Sequence, residues 1–358
     1  MRADTHMAER NQSFDALFLH AREGLSGYRI VSVLTAEHGL MDIFVFGGAK
    51  SSLRSLATPF VFGKIFIYSD NIKNYKKLND IAISESFPGL RDSYARLWSA
   101  EVVAEFIMRT SACGGEYPAV LSDALEALRL LENAGDAAAD LILCCFLWRM
   151  LSVMGLEPDL SGCFSCGRSF SPGESFLSGA AEPFEASGAE RPNAETSEAP
   201  RAGRPGLDGH SGRYGEEGYD GRRENGQSEN DRPENDRRGD DQRRGSATKS
   251  AVRPLCWYAD HEAAFVCPEC AAGPGDEGEG ENGYGERGQG RGVGDFGRHL
   301  VPVDEDLLTL FSIFSYTGFP GLQELASKLS PDLLDRTRHI VFGLAQNAAE
   351  GTLLTLKA

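Results

Sequence analysis

The sequence predicts an α+β protein in which a small N-terminal β-barrel precedes an α-helical domain carrying a cysteine ribbon, with two long disordered inserts. Three observations predict it. β-Branched and aromatic runs separated by glycine-bearing turns fill residues 12–87. Apolar residues at three-to-four spacing take over from Leu90. Two Cys-x-x-Cys pairs, Cys163/Cys166 and Cys267/Cys270, bracket a stretch almost empty of aliphatic residues.

The barrel rests on five short strands. Tyr28–Leu34 and Leu40–Phe46 flank a turn containing Gly39, which reads as a hairpin, and Gly47 and Gly48 break the second strand. Pro59–Tyr68 and Leu78–Ser84 supply two further strands, and Ala16–His20 supplies a short one before them. Five strands in so small a segment suit a partly open barrel of the OB type. Periodicity alone equally permits an SH3-like barrel.

The helical part begins with a stripe through Trp98, Val102 and Phe106 and a second through Leu121, Leu125, Leu128 and Leu131, closed by Gly135. Leu141 to Leu156 is apolar on most faces and reads as a central core helix. It contains Arg149 and is too short for an easy membrane span. Asp304–Ser315, Gly321–Leu329 and Asp332–Glu350 read as shorter helices that complete a bundle.

Residues 171–250 and 271–299 are rich in Gly, Arg, Asp, Glu, Asn and Pro and too poor in apolar residues to offset the entropy of ordering. The expected organisation is therefore a barrel at 12–87, helices and the first knuckle at 88–170, an insert at 171–250, a ribbon hairpin and second knuckle at 251–270, an insert at 271–299, and helices at 300–358. The formal charge of −17 argues against a nucleic-acid partner, but residues 11–80 hold eight Lys/Arg against six Asp/Glu. The inserts together carry about half of the net negative charge.

The N-terminus lacks an apolar secretory core, so the expected compartment is a reducing cytoplasm. There, paired cysteines point to metal ligation rather than disulfides. Two residues between cysteines turn both thiolates toward one point, and two such knuckles supply four soft ligands in a tetrahedron, which suits a structural Zn²⁺. The pairs are 100 residues apart, most of them insert; without residues 171–250 the spacer has an ordinary ribbon length. Cys256 and His261 are alternative ligands, whereas Cys113, Cys144 and Cys145 read as small buried hydrophobes. No phosphate loop, dinucleotide fingerprint, metalloprotease helix or nucleophile elbow is present, which disfavours an enzyme.

The order of these features resembles the RecO family. The resemblance lies in "LTAEHGLMDIFVFGGAKSSLRSLATPFVFGKIFIY" and in a helical region ending in Cys-x-x-Cys-Gly, followed by a second Cys-x-x-Cys and a helical tail. It covers roughly residues 12–170 and 251–358. It implies a DNA-repair and recombination mediator rather than an enzyme. Such a protein binds single- and double-stranded DNA, anneals strands and, with RecR, helps load RecA onto DNA coated with single-strand-binding protein. It would be cytoplasmic, at the nucleoid, with no membrane partner. The long inserts and the acidic charge depart from the family pattern.

On that reading, phosphate contacts fall to Arg29, Lys50, Arg54 and Lys64, followed by Lys73, Lys76 and Lys77, whose segment reads equally as a plain solvated loop. Most of Tyr28, Phe44, Phe46, Phe62, Phe66, Tyr68 and Tyr75 are expected in the barrel core, with Tyr75 the best exposed stacking candidate. The competing reading is a zinc-ribbon protein-interaction adaptor without DNA binding. A metal-dependent hydrolase would need an open, non-cysteine metal position.

Overall fold

Alternating aliphatic residues build the N-terminal unit. The strands are β1 (Asn11–Glu23), β2 (Arg29–Thr35), β3 (Gly39–Val45), β4 (Val61–Asp70) and β5 (Tyr75–Ser86), with a five-residue helix α1 (Ser52–Leu56) between β3 and β4. They close in the order β1-β2-β3-β5-β4, so the expected strand-rich, OB-like unit is present. Long antiparallel ladders join β1 to β2 and β4, whereas β3 meets β5 through the single parallel pair Phe44↔Lys77. The core is Phe18, Val31, Val33, Met41, Ile43, Val45, Ile65, Ile67, Leu78 and Ile81.

The computed structural model describes residues 11–24, 27–48, 51–70, 75–170, 254–272, 299–351 and 353–357. The described residues belong to one compact unit. Lys50, Lys73, the insert expected at 171–250 and nearly all of that expected at 271–299 lie outside them.

Helices follow: α2 (Tyr94–Arg109), α3 (Tyr117–Leu131) and α4 (Asp136–Val153), then the one-turn α5 (Pro268–Ala271), capped by Cys267 and containing Cys270, then α6 (Glu305–Tyr316), α7 (Leu322–Ala326) and α8 (Pro331–Ala348). Helix α4 is buried from Leu141 to Trp148 and forms the centre that α2, α3, α6, α7 and α8 surround. Trp148 stacks on Phe311 at 4.4 Å between centroids. Its Nε1 donates to Ser315 Oγ at 2.9 Å, so the indole is buried with its polar edge satisfied. Asp304 caps α6 by accepting from Leu307 N at 3.0 Å.

Two differences from the sequence expectation matter for the site. The first strand is much longer than Ala16–His20, because its polar ends pair along β2 and β4. The ribbon is not a hairpin alone. Strands β6 (Cys256–Ala259) and β7 (Ala264–Val266) are joined by β8 (Leu300–Val303), in the order β7-β6-β8. Thus the segment expected to be purely helical from residue 300 begins as the third ribbon strand. No helix among the described residues is long and apolar enough to cross a membrane.

Candidate nucleic-acid interface and cysteine centre

Strand parity decides what the barrel shows to solvent. Aliphatic residues take the inward positions of β3 and β4, which turns Phe44, Phe46, Phe62, Phe66 and Tyr68 away from the barrel core. This corrects the expectation that most of the aromatics are core. Four of them gather where β2, β3 and β5 meet. Tyr28 lies 5.3 Å from Phe44 and 5.9 Å from Phe46, and Phe44 lies 6.1 Å from Tyr75, all between ring centroids. Phe44 and Phe46 are stacked with a 20° interplanar angle. Phe46 is 44% exposed, and the Lys77 ammonium sits 5.8 Å from its ring centre. The result is an aromatic platform with a cation over it.

The predicted basic residues divide into two groups. Tyr75, Lys76 and Lys77 are not in a loop: they open β5, paired with Asp70, Ser69 and Tyr68. Lys64 is exposed on β4, with Asp15 and Ala82 as its strand neighbours. Among the described residues, Lys64, Lys76 and Lys77 form no ion pair. Arg29 and Arg54 are different. Both face Glu23: Arg29 Nη2 donates to its carboxylate at 3.1 Å, and Arg54 donates to the other oxygen. The Arg54 hydrogen bond is the main reason the Glu23 carboxyl is held below its ordinary value. Sequence reasoning missed this partner, since nothing in the composition pairs Arg54 with a residue in β1.

The second centre is built from knuckle geometry. After α4 the chain turns so that Cys163 N donates to Arg168 O and Gly167 N donates to Cys163 O, both at 2.8 Å. Gly167 has φ 72°, which a glycine adopts without a Cβ clash. Phe164 N donates to Phe265 O at 2.9 Å, which ties this knuckle to β7, and β7 leads into Cys267. Arg168 pairs with Glu269 across the two knuckles.

The sulfurs of Cys163, Cys166, Cys267 and Cys270 all lie within 4.8 Å of one another. Cys166 Sγ is 3.7 Å from Cys267 Sγ, close to the roughly 3.8 Å edge of a tetrahedron with 2.3 Å metal–sulfur bonds. Burial pushes the Cys163 thiol up, but N–H groups of Cys267, Cys166 and Ser165 outweigh it and bring it down to about 7. The Cys267 N–H is 3.2 Å from that sulfur. A donor set of four sulfurs with N–H groups aimed at one of them is compatible with a soft divalent metal.

Cys256 is buried in β6 outside the cluster, and burial pushes its thiol up to about 12. His261 instead lines an open cleft of about 660 Å³ with Asp260, Asp335 and His339. Neither joins the four cysteines. Cys113, Cys144 and Cys145 are buried, as expected for small apolar side chains.

The strand order places the N-terminal unit among OB-like barrels, whose β2–β3 face and flanking loops bind extended chains. Comparison with known proteins narrows this class. Residues 7–87 match the family described as Recombination protein O N terminal, and residues 91–202 match Recombination protein O C terminal. The chain belongs to the RecO family.

Among its relatives is the DNA repair protein RecO of Bacillus pumilus (strain SAFR-032), 30% identical over 142 residues, which cover 39% of this chain and 54% of the relative. The DNA repair protein RecO of Bacillus subtilis (strain 168) is 29% identical over 38% of this chain and 53% of its own length. That of Synechococcus sp. (strain JA-3-3Ab) is 28% identical over 42% and 53% respectively. The chain spans about half the length of the curated relatives it matches.

Proposed function

We propose that this chain is a DNA-repair and recombination mediator that binds single- and double-stranded DNA on its barrel and promotes annealing of complementary strands. With RecR it would help load RecA onto DNA coated with single-strand-binding protein. The work is done by binding, without a catalytic residue, in the cytoplasm at the nucleoid.

The observation that carries this reading is the platform of Tyr28, Phe44, Phe46 and Tyr75, with Lys77 over Phe46. Every base has a π-face, so such a platform holds unpaired bases without regard to sequence, while ammonium groups at its edge neutralise phosphates. Lys77 is at that edge, Lys76 precedes it on β5, and Lys64 lies on the neighbouring strand. The relatives, which are named as DNA repair proteins, support the same reading.

The four cysteines would hold one structural Zn²⁺. Bound there, the ion would crosslink the loop that follows α4 to the ribbon and supply folding energy, with no open position for chemistry. Cys163 and Cys166 would anchor it from one side, and Cys267 and Cys270 from the other.

The test is annealing of complementary strands coated with single-strand-binding protein, together with single-strand affinity over a salt series. Faster annealing and a steep inverse salt dependence are expected. No binding at low salt would overturn the reading and leave a protein-binding adaptor.

A further inference from the structure

Arg29 and Arg54 look at first like the phosphate-binding residues of the barrel, but their donors are already committed. Arg29 Nε and Nη2 donate to Glu23 Oε1 at 3.2 and 3.1 Å, and its Nη1 donates to Arg54 O at 2.9 Å and Ala57 O at 3.5 Å. Arg54 Nη1 donates to Gly27 O at 2.9 Å and Gly47 O at 3.3 Å, and Nη2 donates to Glu23 Oε2. The two side chains are only 22% and 17% exposed.

The carbonyls they hold belong to the β1–β2 turn, the end of β3 and α1. The first two of these carry Tyr28, Phe44 and Phe46 of the platform. Tyr28 stands between the clasped Gly27 and the clasping Arg29, and Phe46 immediately precedes the clasped Gly47. Their rings are the pair 5.9 Å apart. Gly47 has φ 124° and an added Cβ would lie 2.7 Å from Ser51, so the chain there is tightly turned as well as held.

We infer that Glu23, Arg29 and Arg54 form a clasp of positioning residues that sets the spacing of Tyr28 and Phe46, leaving phosphate contact to the lysines. The inference rests on the reading that this face binds DNA. A planar guanidinium fork reaches three acceptors from one side chain, and an ammonium on a flexible stem does not hold the same three at once. Geometry and charge therefore separate cleanly in the Arg54→Lys variant.

Two readouts test the clasp in the full chain. In oligothymidylate binding, Arg54→Lys should lose affinity by about five-fold or more at every salt concentration, the equivalent of one stacked base. The salt slope should stay at the wild-type value. Arg54→Ala should show the same parallel displacement, and Arg29→Lys a similar one.

In amide hydrogen exchange without DNA, residues 27–28 and 46–48 should exchange faster in Arg54→Lys while α4 stays unchanged. Wild-type affinity in Arg54→Lys would overturn the clasp, because charge alone would then suffice. A slope reduced by about 0.7 in Arg54→Ala would overturn it in favour of direct phosphate contact. If the wild type binds no DNA, the functional reading falls, and unchanged exchange in Arg54→Lys would then independently sink the clasp. Should Arg54→Ala fail to fold, Arg54→Lys and Arg29→Lys carry both readouts.

Discussion

The barrel leaves three lysines and part of its aromatic surface open, whereas the centre of the helical part spends its arginines and large rings internally. In the helical part, Arg109, Arg149, Arg336 and Arg338 each face an acid, and Arg96 is spent on the carbonyls of Gly89, Glu132 and Ala134. The rings at its centre, Trp148, Phe146, Phe311 and Phe314, are fully buried, although Tyr94, Phe164 and Tyr316 at its periphery reach solvent. On the barrel, Lys64, Lys76 and Lys77 lack an acidic partner among the described residues, and Phe46 and Phe66 reach solvent. The helical core has turned its arginines and its central rings on itself and is a scaffold. The barrel keeps cations and π-faces unspent, which is what recognition of a polyanion with stackable bases requires.

The comparison is broken most severely at the cysteine centre. The purified, reduced chain should carry about one Zn²⁺ per molecule, and Cys163→Ser with Cys267→Ser should abolish it and lower the melting temperature sharply, since metal binding at such sites is folding energy. Atomic absorption on freshly prepared protein checks the first part. A metal-free wild type at full stability would remove the structural role of the ribbon.

A second break separates stability from binding. Asp123, only 7% exposed, accepts from Arg149 Nε and Nη2, both at 3.0 Å. Removing one partner of a buried pair costs about 3–5 kcal/mol, and Arg149 is partly solvated, so Asp123→Ala should cost about 2 kcal/mol in urea denaturation. Its single-strand affinity, measured where the protein is folded, should match the wild type. Phe46→Ala should do the reverse: a binding loss of about 1–3 kcal/mol with an unchanged melting temperature.

The sequence made the scaffold legible more readily than the recognition face. The cysteine spacing identified all four clustered sulfurs even with 100 residues between the pairs, because each knuckle is a local turn. The apolar stripes located the helices because burial there repeats with a fixed period. Which face of β3 and β4 points inward depends on strand register, and Phe44 and Phe46 alternate with Ile43 and Val45, so either set fits a core by composition. The run Tyr75-Lys76-Lys77 has no apolar alternation and opens a strand only because β4 lies beside it. Strand β8, Leu300–Val303, is four residues with a proline and becomes a strand only against β6. Arg54 meets Glu23 across 31 positions, a pairing that no local pattern announces.

The smallest expected effect is a pH dependence confined to the helical part. Burial alone would raise the Glu105 carboxyl, but hydrogen bonds from Thr355 and Leu354 and the charge of Arg109 hold it below its ordinary 4.5. A depressed carboxylate stabilises the fold above its unfolded value, and that contribution is lost as pH falls through the folded value. Residues 353–357 should therefore loosen below about pH 4.5, seen as a change in Trp98 fluorescence, since Trp98 Nε1 donates to Thr355 O at 2.7 Å. Glu105→Gln should blunt the response, and an identical acid transition in that variant would show that Glu105 does not hold the segment.

The central claim is that the Phe46–Lys77 face of the barrel is where a strand binds. Its most direct measurement is oligothymidylate affinity over a salt series for Phe46→Ala with Lys77→Ala against the wild type, with zinc content and melting temperature followed in the same preparations. Weaker binding at every salt concentration, a slope shallower by about 0.7, and unchanged metal and stability are expected. Wild-type affinity and slope in the double variant would contradict it.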